Sequence, residues 1–277
     1  PYEDLPKMIN PTSGYIFNTN NSPFNSTAEF ENLKEEDYNS TFSFMEEENN
    51  RSVRFMELID DYEKLSYEDF KEIKYDQQYP DSILYIGNIS QIFDLDKSKF
   101  PNYENLIDLI QKWDRRGDIE NIGAAQWSLY YSYMLDVLSE NDLSVKDTID
   151  IKFHLDALEK TKDRLMKNFG KLDIRLGDIQ RLVRGDMSFP VSGLIDMIAP
   201  TYSVPMEGGK VKAVSGESYI MLIKYSEDGP EVETVLPYGN SSNPSSPHYT
   251  DQMKMYTEKK LKKMSLDKDE ILSQAVR

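Results

Sequence analysis

Apolar positions along this chain follow two rhythms, and the change comes near residue 170. Upstream, spacings of three and four dominate, the repeat that gathers side chains on one face of an α-helix. Val53, Met56, Leu58 and Ile59 predict a helix over 51–65. Ser66-Tyr67-Glu68-Asp69 has the form of an N-cap and opens another. Leu106, Leu109 and Ile110 place a helix over 103–113. The strongest helical signal covers 121–138, where Ile122, Leu129, Tyr130, Tyr133, Met134, Val137 and Leu138 recur on one side. A further helix is predicted over 145–168, with Gly170 as its stop. Downstream, Gly, Pro and short apolar runs take over. SYIMLIKY (218–225) and EVETVL (231–236) are β-type runs joined by Glu227-Asp228-Gly229-Pro230, which predicts a hairpin. The turn-rich stretch 239–247 leads into a helix from His248 that contains Met253 and Tyr256, and a last helix covers 267–275. At the other end, 1–27 reads as a loop around one short strand at 14–18. Residues 28–50 read as an acidic solvated loop or short helix peaking at Glu46-Glu47-Glu48. Helices first and strands afterwards imply an α+β fold. The helical part is 28–170, and 171–277 holds the hairpin and closing helices.

Composition narrows the class. The chain has 277 residues, enough for a substantial core, and its 18 Tyr, 12 Phe and 2 Trp supply anchors that disordered chains lack. A net charge of -17 would repel polyanions, so nucleic acid is not an expected partner. The acidity reads as a solvated surface. With no Cys, disulfides, Cys metal sites and a Cys nucleophile are excluded. No apolar run reaches the ~18 residues of a membrane span. Pro1-Tyr2-Glu3-Asp4 has neither an initiator Met nor a signal-peptide pattern, so the chain is expected to be cut from a longer protein.

Candidate chemistry is sparse. His154 falls inside a predicted helix and reads as structural. His248, in Ser245-Ser246-Pro247-His248-Tyr249, reads as a histidine that hydrogen-bonds loop backbone, because no nucleophile-elbow pattern accompanies the serines. Phosphate-loop, dinucleotide and zincin motifs are absent. Lys259-Lys260-Leu261-Lys262-Lys263 reads as a solvated basic segment, and Tyr130, Tyr131 and Tyr133 as core.

Three segments resemble one family, the penicillin acylases, which are N-terminal-nucleophile hydrolases. LPKMINPTSGYIFNTNNSP (5–23) is similar to the family loop whose Asn side chain donates to the oxyanion, and by position that residue is Asn20. NRSVRFMELID (50–60) is similar to the helix that begins with an active-site Arg. Arg54 matches that Arg best, with Arg51 its rival. LGDIQRLVRGDMSFPVSGLIDMI (176–198) and 216–256 resemble the family's C-terminal end. There YGNSSNPSSPHYTDQ (238–252) is the most specific tract, and it is closest to the acyl-homoserine-lactone and aculeacin branch.

The resemblance implies the C-terminal part of an αββα sandwich and an acyl-amide hydrolase acting on a small molecule of β-lactam, homoserine-lactone or lipopeptide type. It implies an N-terminal Ser nucleophile outside these residues, with Asn20 as oxyanion donor and Arg54 supporting the site. The chain is then expected to be inactive alone. Its implied partner is the upstream part of the same acylase, the α chain and the N-terminal part of the β chain. The resemblance allows a structural Ca²⁺, with no ligands mapped here, implies no other cofactor, and places the protein in the periplasm or otherwise outside the cytoplasm. Two further readings stand beside it: a member that has lost catalysis and serves as a binding or assembly module, and, from composition, a surface glycan-binding protein.

Overall fold

The computed structural model describes residues 2–39, 41, 44 and 47–275. Pro1 and Glu46, both singled out above, lie outside the described residues. The chain divides into two units, Pro1–Lys64 with Tyr79–Tyr85, and Leu65–Gln78 with Ile86–Arg277.

The first unit is a long loop folded against one helix, α1 (Asn50–Ile59). The strand expected at 14–18 does not form. Phe17 donates its N–H to Ser26 O at 2.9 Å, but the neighbouring bonds go to side chains: Thr27 Oγ1 donates to Tyr15 O at 2.8 Å, and Asn32 Oδ1 accepts from Ser26 N and Thr27 N. Asn, Ser and Thr side chains thus satisfy backbone that a second strand would otherwise pair. Among its described residues, the acidic stretch holds two single 3-10 turns, Glu29–Glu31 and Glu35–Asp37. Glu31 pins the loop start, accepting from Thr12 N at 2.6 Å and Ser13 N at 2.8 Å. Aromatic rings supply the apolar interior. Phe17 stacks on Phe55 of α1 at 4.4 Å, and Phe24 lies 5.7 Å from Tyr38. The predicted helix over 51–65 ends early, at Ile59. Asp60 and Asp61 follow, and no basic residue sits in the last turn to oppose the helix dipole.

The second unit carries the remaining helices and both sheets. In α2 (Tyr67–Lys74), the expected cap is present: Ser66 Oγ accepts from Asp69 N at 3.1 Å, and Asp69 Oδ2 accepts from Ser66 N at 2.9 Å. A 3-10 segment at Gly87–Phe93, which periodicity does not reveal, buries Ile89 and Ile92. The helical core is α3 (Glu104–Gln111), α4 (Ala124–Glu140) and α5 (Ile151–Phe169). Trp127 of α4 stacks on Trp113 at 5.7 Å and lies 5.0 Å from Phe93. Leu129, Tyr130, Met134, Val137 and Leu138 are buried as their spacing predicts, whereas Ile122 is 45% exposed because the helix starts after it. Gly123 sets that start with φ +106, and its N–H donates to Gln126 Oε1 at 2.7 Å. The next helix begins at Ile151 rather than 145, since Asp150 caps it through Lys152 N. It ends as expected at Gly170, whose φ of +70 lets its N–H reach Met166 O.

A short turn of helix, α6 (Leu176–Ile179), leads into a four-stranded sheet of order β2-β1-β4-β3. Its strands are β1 (Gln180–Arg184), β2 (Met187–Pro190), β3 (Thr201–Pro205) and β4 (Val211–Gly216). Only the β1–β4 pair is parallel. This sheet lies outside the sequence expectation. The hairpin does form, as β5 (Ile220–Ser226) and β6 (Gly229–Val235) in register Ile220↔Val235. Its loop is shorter than expected, because Gly229 and Pro230 already pair across the strands. β7 (Lys262–Met264) adds a third strand, so part of the basic run is sheet rather than a free solvated segment. The expected helix from His248 is one short piece, α7 (Met253–Thr257), and α8 (Lys268–Gln274) closes the chain. Fully buried Met253 packs with Leu182 and Ala213 of the first sheet and with Val191, just past β2. Mixed helices and sheets make this an α+β fold.

Candidate active site

The site begins with a backbone exception. Asn20 sits at φ +63, a left-handed conformation that Asn tolerates better than most residues. Its N–H donates to Asn18 Oδ1 at 2.8 Å, which closes a tight Asx turn. The neighbouring Asn21 does different work. It is buried, its Oδ1 accepts from Thr19 N and Thr19 Oγ1 at 2.8 Å each, and its Nδ2 donates to Ser22 O and Asn25 O. Asn21 therefore fixes the loop, while Asn20 is carried at its exposed tip.

The helix α1 meets that tip. Arg51 Nη1 donates to Asn20 Oδ1 at 3.0 Å. A guanidinium has only donors, so this contact fixes which end of the carboxamide is oxygen. The two N–H donors lie at the opposite, Nδ2, end of the amide. Arg54, one turn further along α1, ion-pairs with Glu57 at 3.1 Å. Of the two arginines singled out in the sequence, Arg51 is the one joined to Asn20 by this bond.

Asn49, which sequence reasoning passed over, ties loop to helix. Its Oδ1 accepts from Ser52 N at 2.9 Å, its N–H donates to Ser52 Oγ at 3.2 Å, and its Nδ2 donates to Thr19 O at 3.0 Å. The same residue caps α1 and holds the peptide preceding Asn20. Its signal was available: Asn followed three residues later by Ser just before a periodic run is an N-cap pattern.

The two histidines lie in the second unit. His154 is buried as expected, with Nδ1 2.6 Å from Tyr130 Oη, and burial lowers its pKa, so the ring stays neutral. The expectation for His248 needs correction. Its ring Nδ1 pairs with Asp251 Oδ2 at 2.8 Å rather than with backbone, and Ser246 Oγ accepts from the backbone N–H of His248. No serine–imidazole bond forms at this junction among the described residues. Among the described residues, no group of three or more His, Asp or Glu side chains is placed to hold a metal ion. Among the described residues, no helix is long and apolar enough to cross a membrane.

The family model described as penicillin amidase matches residues 1–273. An acyl-homoserine lactone acylase of Pseudomonas fluorescens is 37% identical over 83 residues, which cover 29% of this chain and 11% of that protein. An acyl-homoserine lactone acylase of Pseudomonas syringae is 25% identical over 168 residues, 54% of this chain and 22% of that protein. Aculeacin-A acylase of Actinoplanes utahensis is 29% identical over 94 residues, 30% of this chain and 11% of that protein. The matched stretches thus span between 11% and 22% of these relatives' lengths. Among solved structures, a thermostable penicillin G acylase from Alcaligenes faecalis aligns with all of this chain and 58% of its own, at 13% identity and a TM-score of 0.49.

Proposed function

The chain belongs to the penicillin amidase family, and from that premise we propose that it forms part of an acylase that hydrolyses the acyl amide of a small molecule. In this reading Asn20 is the oxyanion donor. The observation that carries it is the Arg51–Asn20 hydrogen bond. Attack on an amide carbonyl turns its oxygen into an oxyanion, and a donor already aimed at that oxygen lowers the barrier without reorganising. Arg51 holds the carboxamide by its oxygen, so the Nδ2 donors are oriented before substrate arrives. The positive charge also draws electron density toward Oδ1, which strengthens the N–H donors on the other side of the amide. Arg54, paired with Glu57, is a positioning residue that stiffens the next turn of α1.

The nucleophile in this reading is an N-terminal Ser in sequence beyond these residues, with its own α-amine as base. The short matched share of the relatives' lengths supports an enzyme larger than this chain. Upstream acylase sequence is then the partner, and an acyl amide of lactone, lipopeptide or β-lactam type is the substrate. The named acyl-homoserine lactone and aculeacin relatives favour the first two. A location outside the cytoplasm is part of the same proposal.

The test is amide hydrolysis by the intact acylase on a panel of fatty-acyl and phenylacetyl amides. Asn20→Ala should lower kcat about 10²- to 10³-fold with KM little changed, the range for losing one oxyanion donor. Arg51→Ala should lower kcat less, since the carboxamide remains but is free to turn. Full activity in Asn20→Ala would remove this residue from the mechanism. No turnover of any acyl amide by the processed wild-type protein would favour a binding module instead.

A further inference from the structure

The second unit contains a cavity that the amide-hydrolase reading does not use. It has a volume of about 310 Å³ and lies against the first sheet, with Leu182, Val191 and Ala213 on its apolar side and Tyr238 and Tyr256 as aromatic walls. A recess of about 20 Å³ adjoins it, sharing Val191, Thr201, Glu217 and Tyr256. Tyr75 and Gln77 line the recess. Tyr75 Oη and Gln77 Oε1 are buried and hydrogen-bond to nothing among the described residues, and Gln77 as a whole is 5% exposed. Buried polar atoms without partners are rare in folded proteins, and each calls for a physical reason.

The charges around the recess are already opposed. Glu217 is ion-paired with Lys74, while Lys259 lies 4.0 Å from Asp118 and 3.5 Å from Tyr75 O. A charged guest would therefore gain little. Burial, with Glu217 and Glu233 nearby, pushes the Tyr75 hydroxyl up to about 12, so it remains a donor at neutral pH. The two unpartnered atoms are one donor and one acceptor. A hydroxyl group accepts and donates at once, and the recess has room for a group about the size of one water.

The geometry points to a binding site for a small neutral alcohol, with its apolar body against Leu182, Val191 and Tyr238 and its hydroxyl between Tyr75 Oη and Gln77 Oε1. The apolar volume gives affinity, and the recess gives selection for the hydroxyl. A purely apolar cavity would prefer the hydrocarbon, because a buried hydroxyl without partners loses its hydration uncompensated.

Methyl-labelled intact protein, titrated with benzyl alcohol and separately with toluene and followed by NMR, tests this independently of amide hydrolysis. Benzyl alcohol is expected to shift the Leu182 and Val191 methyl signals and to bind at least as tightly as toluene. Tyr75→Phe removes one oxygen that has no hydrogen-bond partner among the described residues, so the fold should persist. It should weaken benzyl alcohol about fivefold and leave toluene unchanged. Toluene binding more tightly than benzyl alcohol to the wild type would overturn the proposal and leave the recess to a bound water. The absence of shifts with either probe, or an unchanged benzyl alcohol affinity in Tyr75→Phe, would overturn it equally.

Discussion

Replacing Asn49 with Ala removes two supports of the Asn20 loop at once, and their sizes can be separated. The first is the cap of α1, where Asn49 Oδ1 accepts from Ser52 N at 2.9 Å. Losing an Asn cap to Ala costs about 1 kcal/mol. The second is the bond from Asn49 Nδ2 to Thr19 O at 3.0 Å. Asn49 is only 9% exposed, so water replaces that partner poorly, and the loss is worth about another 1 kcal/mol. Asn49→Ala should therefore destabilise by about 2 kcal/mol in denaturant unfolding. Asn49→Ser keeps a capping oxygen but cannot reach Thr19, so it should lose about half of that. The functional readout divides differently. Both variants release the peptide before Asn20, so both should lower kcat on acyl amides by a similar factor, whatever their stability. The reasoning fails if Asn49→Ser is as active and as stable as wild type, because then α1 does not hold the loop. It also fails if the loss of kcat tracks the loss of stability across the two variants.

Further expectations concern titration and packing. Glu31 is held down to about 2 from the usual 4.5, chiefly by the Thr12 hydroxyl and then by the Ser13 and Thr12 backbone donors. Its contribution to stability should be complete above pH 4.5 and be lost as pH falls toward 2, and Thr12→Val should move the inflection of the Thr12 and Ser13 amide shifts upward. Tyr130→Phe strips the Nδ1 partner from buried His154 and should destabilise by about 1–3 kcal/mol. Because burial lowers the His154 pKa, wild-type stability should fall as pH drops through the unfolded value of 6.5, and His154→Gln should flatten that part of the profile.

What could be read from the chain was local. The capping box at Ser66, the apolar face of α4 and the αL stop at Gly170 each depend on residues within about one helical turn. The hairpin of β5 and β6 was equally legible, since adjacent strands joined by a tight turn need no distant partner. The four-stranded sheet was not. Its central contact pairs Gln180 with Val211 in parallel, and the short strands involved, such as MSFP and TYSVP, have no clean alternation of their own. The site divides the same way. Asn20 and the two arginines are singled out by the family resemblance, and their spacing does not say which arginine reaches the loop. Arg51 and Arg54 share a helix face, and only the path of the loop, fixed by Asn21 and Asn49, brings Asn20 Oδ1 within 3.0 Å of Arg51. Sequence by itself determined helix faces, caps and the α+β order, because those follow from periodicity and short-range hydrogen bonding. Tertiary structure alone decided the first sheet, the partner of Asn20 and the recess at Tyr75 and Gln77, because each joins residues whose proximity is set by packing rather than by position along the chain.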